Sequence, residues 1–266
     1  MTVEEAVAVF VRGFTFGRSF THPFVATHVV PGAWVLSDAP RKSGDHRGDE
    51  VIVYDMDRHG LGAGDVDALA RRHARARYTV CVVRDLATAD GDIRAGFKGL
   101  GYRLMATEPL MATEPLMVRG LGGLGDVGEA RPLAGDPRLT IARVASIAEA
   151  ARLARAARRR QILPEHLTAD PPPMRSYTAL DGATPIGWVS SVVVEGECTW
   201  CSNLFVTAPY RRRGIGGALM RRMLADDAAA GSRASVLLAS HAGALLYPTV
   251  GYAVIGELMI FTPGRC

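Results

Sequence analysis

The segment 204–220 constrains the fold of this 266-residue chain more than any other stretch. An apolar run leads into a turn of arginine and glycine, and the turn opens an amphipathic helix. Glycine lets the backbone approach a ligand closely, the first helical N–H groups have no intrahelical partner, and the helix dipole is positive at that end. The segment therefore predicts a strand–turn–helix unit with an anion site, reinforced by Arg211, Arg212 and Arg213.

Two common phosphate-binding motifs do not fit this turn. A Rossmann site needs Gly-x-Gly-x-x-Gly, whereas Gly214, Gly216 and Gly217 have no third glycine in register. A Walker A loop needs Gly-Lys-Ser/Thr, and the turn contains no lysine. The anion site must therefore belong to another motif.

Strand and helix patterns alternate on both sides of a glycine-rich stretch at 120–135, which indicates an α/β architecture. Helices are predicted over 4–14, 65–77, 92–100, 146–161, 214–230 and 242–250. Strands are predicted over 32–36, 51–54, 79–83, 139–144, 174–180, 186–195, 199–206, 235–240 and 252–261. We expect two domains, at 1–119 and 138–266, joined by a linker at 120–137.

Length and charge agree with two globular halves. About 150 residues per domain gives roughly two domains, and 48% hydrophobic against 22% charged residues excludes a disordered chain. Residues 1–133 hold 16 Lys+Arg against 17 Asp+Glu, whereas residues 134–266 hold 15 against 10. This modest excess suits an anionic ligand in the second half but not a nucleic-acid partner, which would require a continuous basic face.

Membrane, disulfide and metal functions are not expected. The apolar stretch 243–261 contains Pro248, Glu257 and three glycines, and the N-terminus lacks the basic start of a signal peptide. We therefore expect a cytoplasmic protein without a membrane partner. Cys198 and Cys201 form a Cys-x-x-Cys in a strand pattern, where positions three apart face opposite ways, so we expect neither a metal site nor a redox pair.

Two further features remain open in the sequence. The predicted helix 146–161 carries arginines that form either a solvated face or a lip for an anionic substrate, namely those at 152, 155, 158, 159 and 160. The hexapeptide Met105-Ala-Thr-Glu-Pro-Leu is repeated at once from Met111. Because each copy brings a proline that cannot donate to a strand ladder, we expect an edge bulge or a loop there.

The turn sequence Arg211-Arg-Arg-Gly214-Ile-Gly216 fits R-x-x-G-x-G and follows Leu-x-Val-x-x-Pro. A second element, Tyr247-Pro-Thr-Val-Gly251-Tyr252, fits Tyr-x-x-x-Gly-Phe with an aromatic replacement. In this order and spacing, the two elements resemble the acetyl-CoA-binding motifs of the GNAT acetyltransferase superfamily over about residues 138–262. The resemblance implies GNAT-like domains, each a mixed, largely antiparallel sheet flanked by helices.

The resemblance also implies roles for individual residues. Tyr247 would protonate the leaving thiolate, an amide near Val206 would meet the developing oxyanion, and the backbone of the strand would bind the pantetheine arm. The implied cofactor-binding residues are Leu204, Phe205, Val206, Arg211, Arg212, Arg213, Gly214, Ile215, Gly216, Gly217, Ala218, Ser240 and Tyr247.

The general base is not evident from the sequence. Many family members carry Asn seven residues before the tyrosine, where this chain has Ser240. No carboxylate occurs between Glu197 and Asp226. We expect a water held by Ser202 or Asn203 to take the proton, with Glu195, Glu197 and His241 as alternatives.

The first half resembles a degenerate copy of the second, offset by about 150 residues. Gly101-Tyr102 with Phe97 parallels Gly251-Tyr252 with Tyr247, and the glycines at 60 and 62 parallel those at 214 and 216. Phe97 has no hydroxyl, and Asp57 stands where the second half has Arg211, so it would repel a pyrophosphate. We expect no cofactor site in this half.

Together, the residues and the resemblance predict a tandem GNAT-like protein that transfers acetyl from acetyl-CoA to a primary amine of a small molecule by direct attack. The alternatives are a protein or peptide N-acetyltransferase and a non-catalytic acetyl-CoA sensor. The expected partners are acetyl-CoA and the amine, with no metal, in a monomer or homodimer.

Overall fold

The computed structural model describes residues 1–20, 23–39, 48–75, 77–113, 131–133, 136–194 and 197–264. The helices are α1 Val3–Arg18, α2 Ala63–His73, α3 Gly91–Gly99, α4 Ile147–Ala157, α5 Pro164–Thr168, α6 Ile215–Ala229 and α7 His241–Ala244, with 3₁₀ turns at Ala208–Tyr210 and Tyr247–Val250. The strands are β1 Phe24–Val30, β2 Ala33–Asp38, β3 Asp49–Tyr54, β4 Tyr78–Asp85, β5 Tyr102–Thr113, β6 Arg131–Leu133, β7 Asp136–Arg143, β8 Met174–Asp181, β9 Thr184–Val194, β10 Cys198–Val206, β11 Ala234–Leu238 and β12 Tyr252–Pro263.

The chain forms two compact units. The first unit contains Met1–Met111, Leu238–His241 and Val254–Cys266, and the second contains Ala112–Leu237 and Ala242–Ala253. Strand order is β1-β2-β3-β4-β12-β5 in the first unit and β11-β10-β9-β8-β7-β6 in the second. In each unit one pair is parallel, β3 with β4 and β10 with β11, and the other registered pairs are antiparallel. This confirms the predicted mixed, largely antiparallel sheets.

The last strand belongs to the first unit, which differs from the expected domain at 138–266. β12 pairs antiparallel with β4, from Gly256 opposite Asp85 to Phe261 opposite Val80. The ring of Phe261 stacks on Phe97 with centroids 4.5 Å apart, inside the first unit's core. Hydrophobic burial by residues far apart in the sequence therefore decides where this strand belongs.

The expected linker is partly regular. β6 and the first residues of β7 fall within 120–137. These two strands pair antiparallel, with Arg131 opposite Ile141 and Pro132 opposite Thr140. Residues 120–130 and 134–135 lie outside the described residues.

The two units repeat one strand–helix–strand unit. In each, a parallel pair flanks one helix, α2 between β3 and β4, and α6 between β10 and β11. Gly60 and Gly214 both adopt positive φ before these helices, at +65° and +77°. The ring pair Phe97–Tyr102, with centroids 5.4 Å apart, has its counterpart in Tyr247–Tyr252 at 5.7 Å. These shared features support two GNAT-like domains in tandem.

Helix starts follow local sequence. α4 begins with a capping box, in which Glu149 N–H donates to Ser146 Oγ and the Glu149 carboxylate accepts from Ser146 N–H at 3.0 Å. α1 has the same arrangement between Thr2 and Glu5. α6 differs, because its N-cap is Gly214, no side chain caps it and its first turn has no acidic residue.

Three expectations about elements were wrong or incomplete. The predicted helix 242–250 is broken into α7 and a 3₁₀ turn that contains Pro248, whose missing N–H interrupts helical bonding. The first copy of the hexapeptide lies inside β5 rather than in a bulge or loop, and it ends at the buried Leu110. Residues 114–116 of the second copy lie outside the described residues. β1 was not predicted at all, because His28 and Thr27 interrupt its apolar pattern.

Among the described residues, no helix has the length and apolar character needed to cross a membrane. Nor do the described residues bring three or more His, Cys, Asp or Glu side chains together in a group that could hold a metal ion.

Candidate active site

The site in the second unit begins where two parallel strands part. β10 and β11 pair from Cys198 opposite Ala234 to Trp200 opposite Val236. β10 then continues to Val206 with no registered partner in β11. Strands that pair at one end and separate at the other leave backbone groups of β10 facing an opening.

A bulge in β10 lies beside this opening. Its register with β9 shifts between Ser202 and Phe205, and Asn203 adopts a left-handed φ of +59°. A non-glycine residue with positive φ is uncommon in a strand. The bulge changes the direction in which the last residues of β10 present their backbone groups.

Val206 presents its backbone to the opening. Thr207 N–H donates to Ile186 O at 2.8 Å, and Val206 lies opposite Gly187. Opposed residues in an antiparallel pair alternate between bonded and non-bonded, so Val206 N–H and C=O point away from β9, whereas those of Phe205 point toward it. Phe205, expected to offer backbone groups to a ligand, therefore uses them within the sheet, and Leu204 lies in the bulge.

The turn before α6 provides unoccupied amides. Gly214 is the N-cap in the left-handed conformation, and the first intrahelical bond runs from Ala218 N–H to Gly214 O at 3.0 Å. The N–H groups of Ile215, Gly216 and Gly217 precede that bond and have no intrahelical acceptor. With neither a capping side chain nor a first-turn carboxylate, these amides and the helix dipole favour an anion.

Gly216 brings this turn against the end of β10. A Cβ atom at Gly216 would lie 3.2 Å from Leu246 Cδ2 and 3.9 Å from Val206 Cγ2. The amides of α6, the exposed backbone of Val206 and the segment before Tyr247 are therefore neighbours. This juxtaposition is the core of the candidate site.

The three turn arginines have different environments. Arg211 Nε donates to Val206 O at 2.9 Å and its guanidinium lies 5.6 Å from the ring centre of Phe205. Arg213 forms an ion pair with Asp136 at 3.0 Å and lies over Tyr210. Both side chains thus have partners within the protein, and a role of the three arginines at an anion stays a prediction.

Arg212 and Arg221 place positive charge near the turn. Arg212 is exposed with a positive φ of +62°. Arg221, which the sequence reasoning missed, has its Nη1 3.3 Å from the Cβ position of Gly217. Residues four apart share one helix face, so the spacing of Gly217 and Arg221 was a usable signal.

Tyr247 is buried at the first position of its 3₁₀ turn. Its ring lies beside Tyr252, and its turn packs against α6. Burial, and secondarily the nearby Cys201 thiol, raises the pKa of Tyr247. The phenol therefore keeps its proton at neutral pH, which a proton donor requires.

The two cysteines of the Cys-x-x-Cys are both buried on β10. Cys201 Sγ lies 3.8 Å from Met220 Sδ of α6, and burial raises the pKa of the Cys201 thiol. Cys198 faces the opposite side of the sheet because side chains alternate along a strand.

The expected base candidates are dispersed. Ser202 lies on the sheet face opposite Cys201 and is half-buried. The Asn203 amide oxygen accepts a hydrogen bond from Arg159 Nη2. Glu197 is exposed with a positive φ of +61° at the start of β10. Glu195 lies outside the described residues, as does the side chain of His241.

Ser240, the expected pantetheine contact, is exposed two residues after β11 and belongs to the first unit. It therefore belongs to a different unit from Tyr247, which is close to it in sequence. Tyr247, by contrast, lies in the second unit together with α6.

A second cluster lies on the α4 face of β10. Trp188 stacks on Phe205 with centroids 4.7 Å apart, and Phe205 is 40% exposed. Trp188 also packs against Leu153 and Ile162 in a core cluster beneath α4. The contact of Arg159 with Asn203 joins the segment after α4 to the β10 bulge, a link across 44 residues that no local sequence pattern signals.

The equivalent turn in the first unit is occupied by its own carboxylate. Gly62 N–H donates to Asp65 Oδ2 at 2.8 Å, and Asp65 lies in the first turn of α2. Phe97, the counterpart of Tyr247, is fully buried in the core. A carboxylate therefore stands in the first turn of α2, whereas the first turn of α6 has no acidic residue.

The family comparison concerns mainly the second unit. Residues 143–248 match the family model described as acetyltransferase (GNAT) family. A search of curated protein sequences finds no match.

Solved structures resemble the whole chain. A GCN5-related N-acetyltransferase from Kribbella flavida matches with a TM-score of 0.60 at 12% identity, over 100% of this chain and 97% of that one. A GCN5-related N-acetyltransferase from Sphaerobacter thermophilus matches with a TM-score of 0.51 at 18% identity, over 88% and 78%. At these identities the likeness concerns the fold. The family match over residues 143–248 includes the glycine turn before α6 and Tyr247, and it identifies a GNAT-family domain in this part of the chain.

Proposed function

We propose that the second unit is an acetyl-CoA-dependent N-acetyltransferase that transfers acetyl to a primary amine of a small molecule by direct attack. One observation carries the proposal. The open amides of α6, the outward backbone of Val206 and the segment leading into Tyr247 are neighbours, through the contacts at Gly216. These are an anion site, a hydrogen-bonding edge and a proton donor, as the reaction requires.

The residues present suit coenzyme A. The N–H groups of residues 215–217 would hold the pyrophosphate, with Arg212 and Arg221 adding positive charge near the same turn. Glycine at position 216 leaves the backbone accessible between Leu246 and Val206. Arg211 would form part of the pocket wall, because it donates a hydrogen bond to Val206 O and lies over the ring of Phe205.

The backbone of Val206 would serve the acyl end. Its N–H points away from β9 into the opening, so it can donate to the thioester oxygen as negative charge develops there. Such a donor needs no reorganisation during the reaction because the sheet already holds it in place.

Tyr247 would protonate the leaving thiolate. Its raised pKa keeps the hydroxyl protonated, and its burial orients it within a fixed turn. A positioned proton donor contributes about 10²–10⁴-fold to rate.

The amine would lose its proton to water. No carboxylate lies on β10 after Cys198, and Ser202 and Asn203 are the polar side chains nearest the bulge. Because Arg159 already occupies the Asn203 oxygen, Ser202 is the better candidate to hold that water.

The first unit would not bind the cofactor. Asp65 satisfies Gly62 N–H, Asp57 replaces the arginine of the motif, and Phe97 replaces the tyrosine. An anion at this turn would meet the Asp65 carboxylate, whereas the first turn of α6 has no acidic residue. We propose that this unit serves as a structural partner of the catalytic unit.

Calorimetry with acetyl-CoA, followed by an amine panel read as release of free CoA, tests the proposal. We expect one binding site per chain and turnover with small amines. Binding without turnover by any amine would favour a sensor, and turnover with peptides alone would favour a peptide acetyltransferase. Two binding sites per chain would contradict the assignment of a cofactor-free first unit.

A further inference from the structure

The geometry points to an acceptor amine that also carries an anionic group, a carboxylate or a phosphate, which Arg159 binds. This inference rests on the proposed function and adds the chemical class of the acceptor. It concerns the α4 face of β10, whereas the proposed pyrophosphate site lies at the start of α6.

Arg159 reaches the part of the strand where acyl transfer would occur. Its Nη2 donates to Asn203 Oδ1, and Asn203 is the left-handed residue of the β10 bulge. Val206, whose N–H faces the opening, lies three residues further along the same strand. A group bound by Arg159 would therefore lie near the end of β10, where the acyl group is proposed to bind.

The charge of Arg159 is not neutralised by a carboxylate. Its side-chain partner is the neutral amide of Asn203, and Arg158 and Arg160 beside it are exposed. In the described part of the chain, no carboxylate lies within ion-pair distance of these three or of Arg152 and Arg155. Other guanidiniums of the same unit are paired, in Arg175–Asp227, Arg213–Asp136 and Arg222–Asp226.

The segment that carries Arg159 is held in place. Arg158 ends α4 in the left-handed conformation, φ +55°, where glycine is usual, and Arg159 N–H donates to Ala154 O at 3.1 Å. The next residue but one, Gln161, is buried, with its Nε2 3.5 Å from Arg159 O. Its main-chain oxygen accepts from Ser176 Oγ of β8 at 3.4 Å. The guanidinium thus extends from an anchored backbone.

The surface next to Arg159 suits the rest of such a ligand. Phe205, 40% exposed, lies between Trp188 and the guanidinium of Arg211 and offers apolar surface two residues from Asn203. A short aliphatic amine could contact this exposed surface while its anionic end replaces the Asn203 amide at Arg159. A guanidinium binds carboxylate or phosphate through two parallel hydrogen bonds, which a neutral amide oxygen cannot match.

Paired acceptors test the inference. Pentylamine and 5-aminovalerate differ in a carboxylate, and ethanolamine and phosphoethanolamine differ in a phosphate. Charge-assisted hydrogen bonds are about twice as strong as neutral ones. In either the carboxylate pair or the phosphate pair, we therefore expect kcat/KM to be at least tenfold higher for the amine with the anionic group than for its neutral partner. The pair that shows this preference identifies whether the anionic group is a carboxylate or a phosphate.

Arg159→Gln should remove this preference while changing kcat/KM for the neutral amines by less than about threefold, because glutamine can still donate to Asn203. Arg152→Gln, an exposed arginine of α4 without a described side-chain contact, is the matched control and should keep the preference. Acetyl-CoA affinity should be unchanged in both variants.

Neutral amines that react as well as their charged partners, or a preference that survives Arg159→Gln, would overturn the inference and leave the proposed function standing. Absence of turnover with every amine, despite acetyl-CoA binding, would contradict the proposed transferase activity and this inference with it.

Discussion

The ring of Tyr247 lies against the backbone of Gly243. A Cβ atom at Gly243 would stand 2.7 Å from Cε2 and 3.2 Å from the hydroxyl oxygen of Tyr247. Real Cβ atoms do not approach other atoms so closely, so glycine at 243 sets the position of the phenol. The proposed proton donor therefore depends on a residue four positions before it in the chain.

Replacing Tyr247 by Phe should lower turnover about 10²-fold or more, since it removes the proton donor and retains the ring. Acetyl-CoA affinity, measured by calorimetry, should change by less than about threefold. Tyr252→Phe is the control, because it removes a neighbouring buried hydroxyl that bonds to Ser235 at 2.8 Å. Equal activity of Tyr247→Phe and the unmodified chain would remove the acid role.

Replacing Gly243 by Ala should displace the Tyr247 ring and reduce turnover about tenfold or more, with the chain still folded. The new methyl group must move either the ring or α7, because ring carbon atoms cannot yield as a flexible chain end can. Gly64→Ala, at an open position of α2, is the control and should leave turnover unchanged. Normal turnover in Gly243→Ala would mean that the contact does not position the phenol.

Replacing Gly216 by Glu should weaken acetyl-CoA binding at least 100-fold. The carboxylate would stand at the positive end of α6 and its side chain would fill the space beside Leu246 and Val206. Gly64→Glu places the same change at the second position of α2, with nothing within 4 Å, and should leave binding intact. Calorimetry distinguishes the two, and undiminished binding by Gly216→Glu would contradict the site assignment.

Replacing Arg175 by Met should destabilise the chain by about 3–5 kcal/mol, because the fully buried Asp227 carboxylate would lose its counter-ion. Arg175 Nη2 lies 2.8 Å from Asp227 Oδ1, which links β8 to α6. Arg71→Met removes an exposed guanidinium that pairs with Asp67 on α2, and it should lower the free energy of unfolding far less because solvent screens this charge. Urea unfolding followed by circular dichroism measures the free energy of unfolding of both variants. Similar losses in the two variants would contradict the expectation that the buried ion pair stabilises the chain more than the exposed one.

Local sequence was sufficient for the glycine turn and the helix that follows it. Gly214 needs a left-handed conformation, which glycine adopts without strain, and the helix that begins after it follows from the apolar spacing. The capping box of Ser146 and Glu149 likewise sets the start of α4. These features involve residues within one turn of each other, so their interactions can be identified from spacing.

Features that depend on distant residues were not predictable in this way. Asp136 engages Arg213, and Arg159 reaches Asn203, yet neither pair is close in sequence. The ion pair of Arg213 with Asp136 was not foreseen, because no spacing rule indicates which carboxylate a surface arginine contacts. The break at Pro248 was visible in the sequence and should have limited the predicted helix.

The sequence by itself determined the order of elements from β8 to β11, the glycine turn with its open amides, and the replacement of key residues in the first half, because each depends on neighbouring residues and backbone geometry. Tertiary structure decided that β12 joins the first unit, that the Val206 N–H faces the opening, and that Arg159 lies at the β10 bulge. These outcomes depend on sheet register and on burial between segments far apart in the chain, which local periodicity does not encode.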